Sequence, residues 1–220
     1  MRRLTFSEGE YYHIYNRGVD KRKVFCSPAE YKRFLAYLYV FNDVKVARMT
    51  RDFQMPDALL CEAKPHTPLV AIGAYCLMPN HFHLYLTPLE EGGISRFMQR
   101  LQTAYTMFFN QKHERSGALF ESTFKARHVA SDEYAKYLFS YIHLNPAKLV
   151  DKDWKQFGVR DFRGMQKHLR EYPYSSLHAY LDAQHTITDP SKFPEYFATA
   201  RDVAAHVDDW LALKDRIDEV

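Results

Sequence analysis

Residues 69–87 constrain the fold more than any other part of the chain. Leu69 to Leu77 is an apolar run of strand length, His81 to Thr87 is a second, and Met78-Pro79-Asn80 alone separates them. Two such runs joined by so tight a connection pair antiparallel as a hairpin, and the flanks decide the architecture. Upstream, Ser27-Pro28-Ala29-Glu30 combines an N-cap, a proline at the first helical position and a glutamate three residues after the cap. Tyr31, Phe34, Leu35, Leu38 and Phe41 follow at helical spacing, predicting a helix over about 28–42. Earlier still, Tyr11 to Tyr15 is aromatic and β-branched, and Asn16-Arg17-Gly18 closes it as a turn closes a strand.

Downstream, Gly92-Gly93 ends the hairpin, and Ile94, Phe97, Met98, Leu101, Tyr105 and Phe108 predict a helix to about residue 112. Thr123 to Val129 alternates as a fourth strand would. Ser131-Asp132-Glu133 then opens a helix carrying Tyr134, Tyr137, Leu138, Tyr141 and Ile142. Asn145-Pro146 should end it, because proline disfavours the α region for the residue before it. The order is βαββαβ plus a helix, so an α+β fold is expected: a ferredoxin-like core with an antiparallel sheet and an added tyrosine-bearing helix. Residues 43–67 have no period and read as an irregular connection. Residues 1–148 are expected to form one domain and 149–220 a helical and loop extension packed on it, with a final amphipathic stretch over 194–217.

Composition narrows the class. With 46% hydrophobic and 15% aromatic residues the chain can bury a core and is not a disordered tail. Its longest apolar runs fall short of the ~20 residues that span a bilayer. The opening MRRLTFSEGEYYH has arginines but no apolar block, so no secretory signal is read. Cys26, Cys61 and Cys76 are an odd count without a close pair, which fits a reducing compartment, and the cytoplasm is expected. A formal charge of +3 is compatible with nucleic acid and decides nothing alone.

The chemistry concentrates at two places. On a strand His81 and His83 project to one face while Phe82 enters the core. Two imidazoles at fixed separation suit a divalent cation whose other ligands come from a side chain, water or a phosphate oxygen. A bare pair of this kind is equally a hydrogen-bonded strand surface, and Cys76 on the neighbouring strand leaves a zinc site as an alternative. On the last helix Tyr141 and Asn145, i and i+4, share a face and bring a phenol and an amide oxygen together. Tyr134, Tyr137 and Tyr141 equally form the stripe by which helices bury themselves. Arg96, Arg100, Lys112 and Arg115 on the long helix and beyond it, with Lys125 and Arg127 on one face of the fourth strand, are candidate contacts to DNA phosphates.

Three separated stretches carry more than any one of them: YHIYNRG at Tyr12–Gly18, MPNHFHL at Met78–Leu84 and YIHLNPAK at Tyr141–Lys148. Together they resemble the single-tyrosine HUH transposases, and among these the tyrosine transposases associated with repetitive extragenic palindromes. The likeness spans about residues 11–148 and continues through YPYSSLHAY at Tyr172–Tyr180. It implies cleavage and rejoining of single-stranded, hairpin-forming DNA through a 5′-phosphotyrosine intermediate. It also implies Tyr141 as nucleophile, and His81, His83 and Asn145 as ligands of Mg²⁺ or Mn²⁺. A monomer is favoured over a dimer, the long tail covering the surface a partner would use. The alternative is a hairpin-binding protein of the same fold that does not cut.

Overall fold

The computed structural model describes residues 4–45 and 67–213, so the irregular connection expected over 43–67 lies almost wholly outside the described residues. β1 (Tyr12–Arg17), α1 (Pro28–Val40), β2 (Val70–Met78), β3 (His81–Pro88), α2 (Gly93–Lys112), β4 (Lys125–His128) and α3 (Asp132–Leu144) follow one another in the expected order. The strands form one antiparallel sheet, β2-β3-β1-β4, which is the ferredoxin-like arrangement. β4 is shorter than the alternation at 123–129 suggests, because pairing with β1 begins at Lys125 and ends at His128.

The sheet separates two cores. Phe82, Leu84 and Leu86 of β3 join Ile14 of β1 against Phe34 and Leu38 of α1 and Phe97, Leu101 and Tyr105 of α2. The opposite face of β3 puts Tyr85 with Leu138 and Ile142 of α3. β2 feeds both cores through a bulge between Ile72 and Ala74, so that Ile72 and Tyr75 face one core and Ala74 and Cys76 the other. Gly73 sits in that bulge because a Cβ there would come within 2.9 Å of both Phe193 and Tyr85. Phe82 is fully buried and meets Phe34 at 5.1 Å between ring centroids. Phe82→Ala should therefore lower unfolding free energy by about 3–5 kcal/mol, read as a shifted urea midpoint at unchanged slope; a loss under about 1 kcal/mol would contradict this packing.

The turn before His81 is pinned from outside the hairpin. The carbonyl of Asn80 accepts from the amide of Gly18 at 2.8 Å, and that of Pro79 from Val24 at 2.8 Å. The start of β3 is therefore held against the end of β1.

Residues after 148 attach to the α3 side of the sheet. Among the described residues four α-helices follow α4 (Ala147–Val150): α5 (Trp154–Phe157), α6 (Phe162–Glu171), α7 (Leu177–Leu181) and α8 (Ala200–Ala212). Val203, Val207 and Leu211 of α8 are buried in the second core, and a Thr199–Asp202 capping box starts that helix. The amphipathic stretch expected from 194 is helical only from Ala200, and its end beyond 213 lies outside the described residues. The YPYSS segment covers the free edge of β2: Leu77 N–H donates to Tyr174 O and Ser176 N–H to Tyr75 O, both at 2.9 Å, and Tyr172 Oη donates to Leu77 O at 2.7 Å. An uncovered edge would leave a row of unpaired backbone groups.

α3 ends at Leu144 as expected, but not by moving Asn145 out of the helical region. Asn145 keeps helical angles, φ −53 and ψ −42, and the chain turns directly into α4. The pre-proline penalty is offset locally: the Asn145 side-chain amide donates to Tyr141 O at 2.8 Å, and Leu144 and Ala147 on either side are buried. Among the described residues no helix is long and apolar enough to cross a membrane.

Candidate functional site

One cavity of about 160 Å³ brings the sequence candidates together: His81, His83, Tyr141 and Asn145 all line it, with Tyr15, Asn16, Arg17, Glu121, Lys125 and Lys148. β3 delivers the two histidines to the sheet face opposite Phe82, and α3 crosses that face with Tyr141 turned toward them. Ring centroids lie 5.0 Å apart for His81 and His83 and 5.2 Å apart for His83 and Tyr141. His83, Tyr141 and Asn145 are 4%, 7% and 5% exposed, so the floor of the cavity is buried while Arg17, Glu121 and Lys125 at its rim are exposed.

The hydrogen bonds decide which atoms face inward. Asn80 donates through Nδ2 to Lys21 O at 3.3 Å, which turns its Oδ1 toward His81. His81 Nδ1 lies 2.6 Å from that oxygen and must carry the proton, so the lone pair is on Nε2. Asn145 gives its amide nitrogen to a carbonyl, so its carboxamide oxygen is the end left for a ligand. His83 Nδ1 is engaged by His13 Nε2 at 2.9 Å. Burial, helped by the positive surroundings of His81, His13, Lys148 and Arg17, holds the His83 imidazole well below its ordinary range. A neutral ring has no proton to surrender before it binds a cation.

Positive charge surrounds the phenol. Lys148 follows the α3–α4 corner, and Lys155 of α5 places its ammonium 5.4 Å from the centre of the Tyr141 ring. Lys125 lines the cavity near Glu121, 3.8 Å away, and Arg127, on the same face of β4, stacks over Tyr134 at 4.7 Å. The remaining sequence candidates are elsewhere. Arg96 pairs with Glu90, Arg100 donates to Asp43 O, Lys112 pairs with Glu30 and Arg115 donates to Ala118 O. These four lie on or just past α2, which packs on the other face of the sheet. Arg17, Lys148 and Lys155 went unselected in the sequence. Arg17 and Lys148 stand inside recognised motifs, whereas Lys155 carries no local signal.

Among the described residues, the group of His, Cys, Asp and Glu that closes to metal-ligand distances is Cys26, Glu30 and His113, beside α1 and remote from this cavity. Glu30 is already held there by Lys112 at 2.6 Å, His113 at 2.9 Å and the Cys26 amide. Cys76, His81 and His83 do not form such a group, although Cys76 faces His83 in register, and burial pushes the Cys76 thiol up. That removes the main attraction of the zinc alternative, a ready thiolate.

A ferredoxin-like sheet covered on one face by a tyrosine-bearing helix is the fold of the tyrosine transposases: the chain is similar over 90% of its length, and over 90% of the other chain, to the solved structure of a REP-associated tyrosine transposase bound to a REP hairpin, at 14% identity and a TM-score of 0.50. Residues 60–145, which hold the histidine pair, Tyr141 and Asn145, match the family described as Transposase IS200 like. The resemblance to a transposase is thereby shown over residues 60–145, and the fold over most of the chain. No curated protein matches the chain significantly.

Proposed function

We propose that this protein cleaves and rejoins single-stranded, hairpin-forming DNA through a 5′-phosphotyrosine intermediate. The observation that carries the reading is the convergence of Tyr141, His81, His83 and Asn145 on one cavity. Tyr141 Oη attacks phosphorus, and the bond from phosphorus to the 3′ oxygen breaks. The proton lost by the phenol is matched by the one gained by the departing 3′-hydroxyl. Rejoining is the reverse, so the phosphodiester's energy is kept in the covalent link and no nucleotide cofactor is needed.

His81 and His83 through Nε2 and Asn145 through its carboxamide oxygen would hold a Mg²⁺ or Mn²⁺ ion; the amide oxygen, with water and a phosphate oxygen, suits either ion, and the two imidazoles favour Mn²⁺ over Mg²⁺. When bound, such an ion polarises the phosphate and stabilises the charge developing on its oxygens. The chain's own cations do complementary work. A free phenol, with a pKa of about 10, is a poor nucleophile at neutral pH; Lys148 in the same cavity and the Lys155 ammonium 5.4 Å from the ring centre are placed to meet negative charge developing at the reacting centre. Arg17 and Lys125 at the cavity rim, with Arg127 beyond, are set to take flanking phosphates. Arg96, Arg100, Lys112 and Arg115 would contact DNA only if a hairpin wraps to the α2 side.

Because β3 and α3 of one chain supply the whole constellation, the reading favours a monomer. We assign residues 1–148 to the nuclease unit and 149–220 to an extension that seals β2 and supplies Lys155, and we place the protein in the cytoplasm. The test is incubation with labelled single-stranded hairpins from the source genome, resolved on a denaturing gel. A protein-linked DNA band that disappears with EDTA and returns with excess Mg²⁺ is expected. Tight hairpin binding without any covalent band would replace this reading with that of a non-cutting hairpin binder.

A further inference from the structure

We propose that His13 is a positioning residue that sets the tautomer of His83 and thereby switches His83 between a resting state and a cation-ligating one. The inference rests on the metal reading above and goes beyond it, because nothing in the cavity's lining includes His13. Its ring lies behind His83, fully buried, in contact with Tyr15, His83 and Tyr141 at centroid distances of 4.8, 5.1 and 6.0 Å.

The bond between His13 Nε2 and His83 Nδ1 can be made in two ways, and only one suits a ligand. If His13 donates, His83 accepts on Nδ1, its proton sits on Nε2, and that N–H points at the cavity. If His83 donates from Nδ1, its Nε2 lone pair faces the cavity, and the proton of His13 must sit on its own Nδ1. That atom is buried without a hydrogen-bond partner. Orphaned buried N–H groups are rarer in folded proteins than unsatisfied acceptors, so a bare ring nitrogen there is the lesser penalty. Without a cation the first arrangement is therefore preferred, and ligation pulls the pair into the second. No proton is gained or lost; both rings exchange tautomers together.

His81 needs no such step, since Asn80 already fixes its proton on Nδ1. The two ligands thus differ, one set permanently and one set on binding. Partners of this kind typically change metal affinity by about 10–100-fold when removed.

The test uses Mn²⁺ affinity by electron paramagnetic resonance and the imidazole ¹⁵N spectrum during a Mg²⁺ titration, neither of which reads catalysis. His13→Phe keeps a ring but offers no acceptor, and should weaken Mn²⁺ binding about 10–100-fold. His13→Gln, whose carboxamide oxygen can accept from His83 Nδ1–H, should restore affinity to within a few-fold. In the wild type, Mg²⁺ should move the His83 proton signal from Nε2 to Nδ1 while His81 stays on Nδ1. A folded His13→Phe protein with wild-type Mn²⁺ affinity would overturn the proposal. If that variant does not fold, the wild-type spectrum decides, and a His83 tautomer unmoved by saturating Mg²⁺ overturns it. Wild-type Mn²⁺ affinity in His83→Ala would instead remove the metal reading beneath it.

Discussion

Tyr141→Phe is expected to lower covalent strand cleavage at least about a thousandfold, since losing the nucleophile of a covalent mechanism removes the step itself. Hairpin affinity should stay within a few-fold. The substitution separates the two because phenylalanine keeps the ring's contacts: His83 at 5.2 Å, Tyr137 at 5.9 Å, His13 at 6.0 Å and the Lys155 ammonium at 5.4 Å. Phenylalanine keeps those aromatic surfaces and removes Oη alone. Affinity comes mainly from cations meeting phosphates, and Arg17, Lys125, Lys148 and Arg127 are untouched by the change. A filter-binding curve and a denaturing gel on the same preparation decide the matter. Undiminished nicking would mean that another group attacks phosphorus, and the nearest phenols, Tyr15 and Tyr137, would be examined next. Lost binding would mean that the hydroxyl holds the DNA.

How far the sequence carried this result depends on the range of each signal. Alternation along a strand is local, so His81 and His83 on one face with Phe82 on the other were legible from three residues. The i, i+4 relation of Tyr141 and Asn145 was equally local. That the two local patterns meet is a matter of sheet order, and neither period encodes which strand lies beside β3. The three motifs in order supplied what periodicity could not. His13 was hidden for this reason: it belongs to YHIYNRG, but its contact with His83 spans 70 positions and exists only because β1 lies against β3. Lys155 was hidden more deeply, on a four-residue helix anchored by the buried Trp154. The basic residues of α2 illustrate the opposite error of emphasis. A helix's polar face is readable, but which face of the sheet the helix covers is not. Pro146 shows a local rule overridden by a local compensation, the Asn145 side chain answering the Tyr141 carbonyl.

His83→Ala should reduce cleavage about a thousandfold or more while leaving the fold intact. The estimate follows from the charge stabilisation a bound divalent ion supplies, several kcal/mol, with each 1.36 kcal/mol worth a factor of ten. His83 is the better probe of the pair. His81 is half-buried and pinned by Asn80 in the turn, so its removal also disturbs the entry to β3. His83 is fully enclosed, and its neighbours His13, Tyr15 and Tyr141 are ring contacts that survive around a small cavity. Alanine there leaves His81 and Asn145 as a two-ligand remnant, which excess Mn²⁺ should rescue in part and excess Mg²⁺ less, since manganese binds imidazole more readily. That difference discriminates between ligand loss and general damage, because a misfolded cavity would respond to neither ion. Partial rescue by Mn²⁺ with hairpin binding preserved is the expected outcome. Full activity in this variant, with EDTA still inhibiting, would put the cation somewhere other than the histidine pair.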